Sequence, residues 1–411
     1  MMGNSKLIIT SLLFCFLTSY KVIAANLMMS NEVTIAYDQW PAALQYATID
    51  TSIENSLSDI TGFETSKWDD FGTNSGWTAQ VVGDFNNDGL DDVANFHPSN
   101  GTWWVSISTG TSFNTTQWDD FATSSGWTSQ VVGDFNNDGL DDIANFHPSN
   151  GTWWVSISTG TSFNTTQWDD FGTNSGWTSQ IVGDFNNDGL DDIANFHPSN
   201  GTWWVSISTG TSFNTTQWDD FGTNSGWTSQ IVGDFNNDGL DDIANFHPSN
   251  GTWWVSISAN TSFNTTQWDD FGTNSGWTSQ VVGDFNNDGL DDIANFHPHN
   301  GTWWVSISTN TSFNTTQWDD FGTNSGWTSQ VVGDFNNDDL VDIANFHPSN
   351  GTWWVSISTG TGFNTTQWDN FGTNSGWTSQ IVGDFNNDYS DDIANFHPSN
   401  GTWWVSKATS N

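Results

Sequence analysis

Asp84-Phe85-Asn86-Asn87-Asp88-Gly89-Leu90-Asp91-Asp92 is the stretch that decides how this chain folds, because it returns, little changed, at 134, 184, 234, 284, 334 and 384. The step is 50 residues throughout, without insertion or deletion. Flanking landmarks keep the same step: Phe63, Trp68, Trp77 and the pair Trp103-Trp104 recur as far as Phe363, Trp368, Trp377 and Trp403-Trp404. A unit of about 40–50 residues lies in the range of one four-stranded propeller blade.

Alternation and turn signals around the quoted loop give four short strands per unit, at Thr78 to Phe85, Asp91 to His97, Thr102 to Ser108 and Phe113 to Phe121. Pro98-Ser99-Asn100-Gly101 joins the second strand to the third through Asn-Gly, a strong hairpin signal. In the third strand Trp103, Val105 and Ile107 point to one face, while Trp104, Ser106 and Ser108 point to the other. A Trp on each face calls for cover on both sides, which blades stacked around an axis supply. A linear β-solenoid is the alternative, but its coils have shorter periods and no such hairpins. The expected fold is all-β, a seven-bladed propeller.

The last unit stops after Trp403-Trp404-Val405-Ser406 and lacks a fourth strand of its own, whereas Phe63 to Phe71 (FETSKWDDF) matches FNTTQWDDF with no first three strands before it. Joining the two completes the seventh blade and leaves no open ring. The domain reading is therefore a signal over 1–25, a linker, cap or partner-binding arm over 26–62, and the propeller over 63–411.

Within the quoted loop, oxygen-bearing side chains stand at positions 1, 3, 5 and 9, with Gly at position 6 for a sharp turn. That pattern suits a hard cation, and calcium, which takes six to eight oxygens in forgiving geometry, before magnesium. The expected ligands are Asp84, Asn86, Asp88 and Asp92 with the Leu90 carbonyl. The following copies supply Asp134, Asn136, Asp138, Leu140 and Asp142; Asp184, Asn186, Asp188, Leu190 and Asp192; and Asp234, Asn236, Asp238, Leu240 and Asp242. The last three supply Asp284, Asn286, Asp288, Leu290 and Asp292; Asp334, Asn336, Asp338, Leu340 and Asp342; and Asp384, Asn386, Asp388, Ser390 and Asp392. Up to seven structural Ca2+ ions follow. It is not an EF-hand, since strands flank it and position 12 is Asn95. Val341 replaces Asp at position 8, so Asp91 and its equivalents are expected outside the ligand shell. Asp339 and Tyr389 replace Gly at position 6, which marks the sixth and seventh loops as the weaker sites.

The run Val82-Gly83-Asp84 through Asp92-Val93-Ala94 resembles the FG-GAP/VCBS repeat, from about residue 63 to the end. The resemblance implies calcium-binding propeller blades of the kind found in integrin α-subunits, extracellular bacterial proteins and some fungal lectins. It implies adhesion or ligand binding more than catalysis, and names no ligand.

Lys6 followed by the apolar run Leu7 to Tyr20, with small residues near Ala24-Ala25, reads as a cleaved export signal, too short to span a bilayer. Its removal takes away Cys15, the one cysteine, so the exported chain has neither disulfide nor thiol chemistry. The chain carries 47 acidic residues against 4 lysines and no arginine, a balance that repels phosphate backbones and excludes nucleic acid. Its 29 Trp and 30 Phe supply a core nonetheless. Membrane insertion is not expected. The expected location is extracellular.

Trp68, Trp77, Trp118 and Trp127 lie near strand ends beside Asp, Asn and Ser, a setting in which exposed rings hold sugars. Seven weak sites on a rigid ring would gain avidity on a glycan-coated surface. His97 and its equivalents read as turn caps rather than zinc ligands. Singular groups such as His299 and Lys407 are scattered, and Asp69-Asp70 alternate across a strand, so an active centre is not expected. The sequence points to a multivalent binding or adhesion module for glycans, or else to a structural propeller that binds a cell-surface protein.

Overall fold

The computed structural model describes residues 60–410, apart from a few positions in the loop 71–78 and its six counterparts. The expected signal and most of the 26–62 arm lie outside the described residues.

The first blade comprises β2 (Ala79–Gly83), β3 (Asp92–His97), β4 (Thr102–Ser108) and β5 (Phe113–Asp120), paired antiparallel in chain order. The pattern repeats at 50-residue steps through β25 (Phe363–Asn370). The seventh sheet holds β26 (Ser379–Gly383), β27 (Asp392–His397), β28 (Thr402–Ser410) and, as its outer strand, β1 (Ile60–Asp70). The seven-bladed all-β propeller expected from the repeat is therefore present, and the N-terminal strand closes it. Ile60 and Gly62, assigned to the arm by the sequence, belong to that strand and pair with Ser410 and Thr409.

The core lies between blades rather than within one. Phe85, Ala94, Phe96, Trp103 and Val105 of the first blade pack on Ile143 and Phe163 of the second. Trp103 has no exposed surface and donates its Nε1 hydrogen to Asn145 Oδ1 of the next blade at 3.2 Å. Asn145 in turn donates to the Ile143 carbonyl and to Ser156 Oγ, so the buried amide is satisfied on both sides. The same bond from Trp403 to Asn95, 3.1 Å, seals the ring between the last blade and the first.

Antiparallel pairing sorts the connections onto two faces. The 84–91 loops and the 109–112 turns share one face, here the upper; the 98–101 turns and the 71–78 loops share the lower. Among the described residues, no helix is long and apolar enough to cross a membrane.

Candidate functional site

On the upper face, the polar side chains of each loop organise its own backbone. Asp84 accepts from the Asp88 and Gly89 N–H groups at 3.2 and 2.9 Å. Asn86 accepts from the Asp88 N–H at 2.9 Å and donates its amide to Asp88 Oδ2 at 3.0 Å, while Asp88 Oδ1 accepts from the Leu90 N–H at 3.0 Å. Asn87 and Gly89 take the left-handed conformation that this tight path demands, at φ 56° and 82°.

Asp92 differs from the other three. It is fully buried, one oxygen accepts from the Ser108 N–H at 2.7 Å, and the other has no partner. Burial pushes its carboxyl up to about 8; the Ser108 bond opposes the shift, and the neighbouring charges of Asp88 and Asp84 add to it. Asp142, Asp192, Asp242, Asp342 and Asp392 repeat the partnerless oxygen. At Asp392, Lys407 adds an attraction that lowers the shift. Among the described residues, no three His, Cys, Asp or Glu side chains converge as a metal-holding group. The donor set is nonetheless hard oxygen throughout, and a buried carboxylate oxygen beside two further carboxylates is the feature a divalent cation would satisfy.

The sixth and seventh loops depart from this plan. Asp339 and Tyr389 occupy the left-handed position at φ 66° and 71°, which is costlier without glycine. In both loops the position-3 amide oxygen, of Asn336 or Asn386, is buried without a partner.

Position 8 has a task the sequence did not reveal. Asp141 Oδ2 accepts from the Asp84 N–H of the preceding blade at 2.7 Å, while the Asp141 N–H donates back to the Asp84 carbonyl at 3.1 Å. Asp91 latches the first blade to Asp384 of the last in the same way, at 2.8 Å. Gly83 permits the approach, since a Cβ there would lie 2.6 Å from Asp141 Oδ2. The position-8 carboxylate is a clamp on its neighbour's position 1. Val341 keeps the backbone bond to the Asp284 carbonyl, 3.2 Å, and offers Asp284 no side-chain acceptor.

On the lower face, the structure divides the four tryptophans proposed as sugar platforms. Trp68 and Trp118 are only 5% and 6% exposed, so the expectation of open ring surface fails for them. A bulge is the reason: the pairing skips a residue between Lys67 and Asp69, and between the partners of Trp103 and Trp104, turning each Trp into the gap between blades. There Trp68 meets Phe113 and Trp118 meets Phe163 edge to face, with ring centroids 5.1 Å apart.

Trp77 and Trp127 are half-buried and belong to a different cluster. Trp77 lies 5.0 Å from the His97 ring and 6.3 Å from Trp104, both near-perpendicular, with Phe71 of the preceding blade 5.3 Å away. Trp127, His147 and Trp154 repeat it. Exposed Ser99 and Asn100 border the cluster, and Ser99 Oγ lies 3.1 Å from His97 Nδ1, the turn-capping contact expected of this histidine. Asn74 and Ser75, expected beside Trp77, lie outside the described residues. His97 and Trp104 were missed as members of this site. The available signal was Trp104, which alternates away from the buried Trp103 and needs other company.

Asp69 and Asp70 hold structural positions. Asp69 Oδ2 accepts from Thr115 Oγ1 of the next blade, and Asp70 Oδ1 accepts from the Gly72 N–H at 3.0 Å.

A family model described as FG-GAP-like repeat matches residues 84–145, 134–195, 184–245 and 234–295. No curated protein is detectably similar in sequence. Among solved structures, an Agrocybe aegerita lectin that recognises non-reducing terminal N-acetylglucosamine is 20% identical, with a TM-score of 0.65 over 87% of this chain and 97% of the lectin. BBS1N, solved in complex with ARL6DN, is 11% identical, with a TM-score of 0.53 over 85% of this chain and 97% of the other. A Bacillus licheniformis rhamnogalacturonan lyase is 10% identical, with a TM-score of 0.46 over 85% of this chain and 76% of the lyase. At these identities the likeness is one of fold.

Proposed function

Because this chain belongs to the FG-GAP-like repeat family, we propose that it is a secreted, calcium-loaded, multivalent binding module that engages carbohydrate through the recesses of Trp77, His97 and Trp104 and their counterparts. The carrying observation is the aromatic cluster: Trp77 packed against both His97 and Trp104, half-buried, bordered by exposed Ser99 and Asn100, and recurring around one face. Sugars are held by an apolar ring face together with a few directed polar groups, and this recess offers both. The terminal N-acetylglucosamine recognised by the lectin of like fold supports a sugar ligand of that kind here. Calcium would be held by Asp84, Asn86, Asp88 and Asp92 and their copies, supplying the positive charge that these carboxylates lack. The proposed module is a binder rather than an enzyme, and among the described residues the repeated carboxylates Asp69, Asp70 and Asp141 are engaged in clamp and turn bonds.

A glycan array probed with the purified chain, in calcium and again in EDTA, tests the reading. Saturable binding is expected in calcium. Replacing Trp77 and its counterparts by Ala should abolish it, while Trp77→Ala alone should weaken it severalfold through lost avidity. A blank array for a folded, calcium-replete chain overturns the carbohydrate assignment and leaves protein partners.

A further inference from the structure

The axis of the propeller carries a cavity whose lining includes none of the Trp77, His97 and Trp104 clusters. It is an open cavity of about 1000 Å3, lined by three consecutive residues of each innermost strand, which stack as rings, and by Thr178 beside the third of these strands. Nearest the lower face is a ring of hydroxyls, Ser129 and its counterparts with Ala79 in the first blade; next come Gln80 and its six counterparts; deeper still is a ring of Val or Ile, beginning at Val81. None of the lining side chains is charged.

The glutamines are held by their neighbours in one sense only. Ser129 Oγ donates to Gln180 Oε1 at 2.8 Å, and Ser179 and Ser379 donate to Gln230 and Gln80 at 3.0 Å, each across a blade boundary. In every blade the amide Nε2 finds no protein acceptor. The axis therefore gathers seven amide groups, of which Gln80, Gln180 and Gln230 accept from a neighbouring Ser, and whose Nε2 donors are all buried without a partner, beside a belt of aliphatic carbon.

We propose that this axial cavity binds one neutral, hydroxyl-rich small molecule per chain, of the size of a mono- or disaccharide, with its oxygens toward the Ser and Gln rings and its C–H face on the Val/Ile ring. Three observations select that class. The volume matches small-molecule sites and far exceeds a coordinated ion, whose ligands stand about 2.0–2.6 Å away. The lining has no charge with which to pair an anion or a cation. The surrounding field, from a formal net charge of −43, opposes anions in particular. The stoichiometry is one, in contrast to the several recesses of the rim, so this site stands or falls independently of them.

Isothermal titration of the full chain in calcium with glucose, N-acetylglucosamine and cellobiose, and with glucuronate as the charged counterpart, tests it. To isolate the axis, the titrations use a chain in which Trp77 and its counterparts are Ala. A one-to-one component is expected for at least one neutral sugar, at least tenfold weaker for glucuronate. It should weaken at least tenfold in a chain carrying Gln80→Leu, Gln180→Leu and Gln280→Leu. Should that triple variant not fold, Ser229→Tyr, which narrows the mouth at one point, should have the same effect. No one-to-one component for any neutral sugar overturns the proposal. So does a component that persists unchanged in the folded glutamine or Ser229→Tyr variants, whatever the glycan array reports of the rim.

Discussion

Asp192 illustrates how one side chain can be costly in one medium and useful in another. Its carboxylate is fully buried, accepts one bond from the Ser208 N–H at 2.7 Å and leaves the second oxygen without a partner. An uncompensated buried carboxylate opposes folding, and a bound cation reverses that sign. Asp192→Asn should therefore melt below the parent in millimolar calcium and no lower than the parent in EDTA, a crossover that differential scanning calorimetry reads directly. A loss of equal size in both media would mean that Asp192 serves packing alone. Position 341 offers the complementary gain. Val341→Asp restores the acceptor for the Asp284 N–H that Asp141 supplies to Asp84, worth about 0.5–1.5 kcal/mol for one net hydrogen bond. Asp141→Val should remove a similar amount. Chemical denaturation of the two variants in calcium checks both signs, and a destabilised Val341→Asp chain would contradict the clamp.

Burial set by a bulge decides which tryptophans are structural. Trp218 sits at 5% exposure, and its truncation to Ala should cost about 3–5 kcal/mol, as for large aromatic side chains in tight cores. Trp204, half-buried against Trp177, should cost clearly less when truncated, and the difference in denaturation midpoints checks the ordering. This distinction was not legible in the sequence. Alternation predicts facing only while register is kept, and one extra residue in the outer strand reverses it. Likewise, the repeat shows that Asp141 recurs but not that its partner lies 57 positions earlier, in another blade. What could be read were features that local patterning determines: the four strands, the Asn-Gly hairpin, the turn-capping His97 and the match of FETSKWDDF to FNTTQWDDF. That match predicts a further result at this scale. Deleting Ile60–Asp70 strips β28 of its outer partner and uncovers Phe113 and Phe385, which Trp68 covers. The truncated chain should lose its single cooperative transition or self-associate through the open edge, seen by calorimetry and size-exclusion chromatography.

At the scale of the whole ring, repetition would link stability to the calcium proposed for the loops. Each loop presses on its neighbour, as where a Cβ on Gly139 would lie 2.8 Å from Asn87 Nδ2 and where Ser158 Oγ donates to the Phe85 carbonyl at 2.7 Å. Tightening one loop therefore constrains the next. Extracellular calcium modules bind with dissociation constants of about 0.1–1 mM. At about 1 mM free calcium each proposed site would then contribute roughly 0.4–1.4 kcal/mol. Seven such sites would sum to roughly 3–10 kcal/mol, comparable with the stability of a typical domain. With an unfolding entropy of about 2.1 cal/mol/K per residue, a propeller of this size should lose about 4–14 °C in melting temperature when EDTA replaces calcium. The loss should be reversed by calcium added in excess of the chelator. Restoring glycine at the two altered turns, Asp339→Gly and Tyr389→Gly, should raise the melting temperature in calcium, since both positions require the left-handed backbone that glycine adopts without strain. An unchanged melting curve in excess EDTA would show that the ring stands on its aromatic packing and blade-to-blade bonds alone, and that the acidic loops hold no metal that matters to the fold.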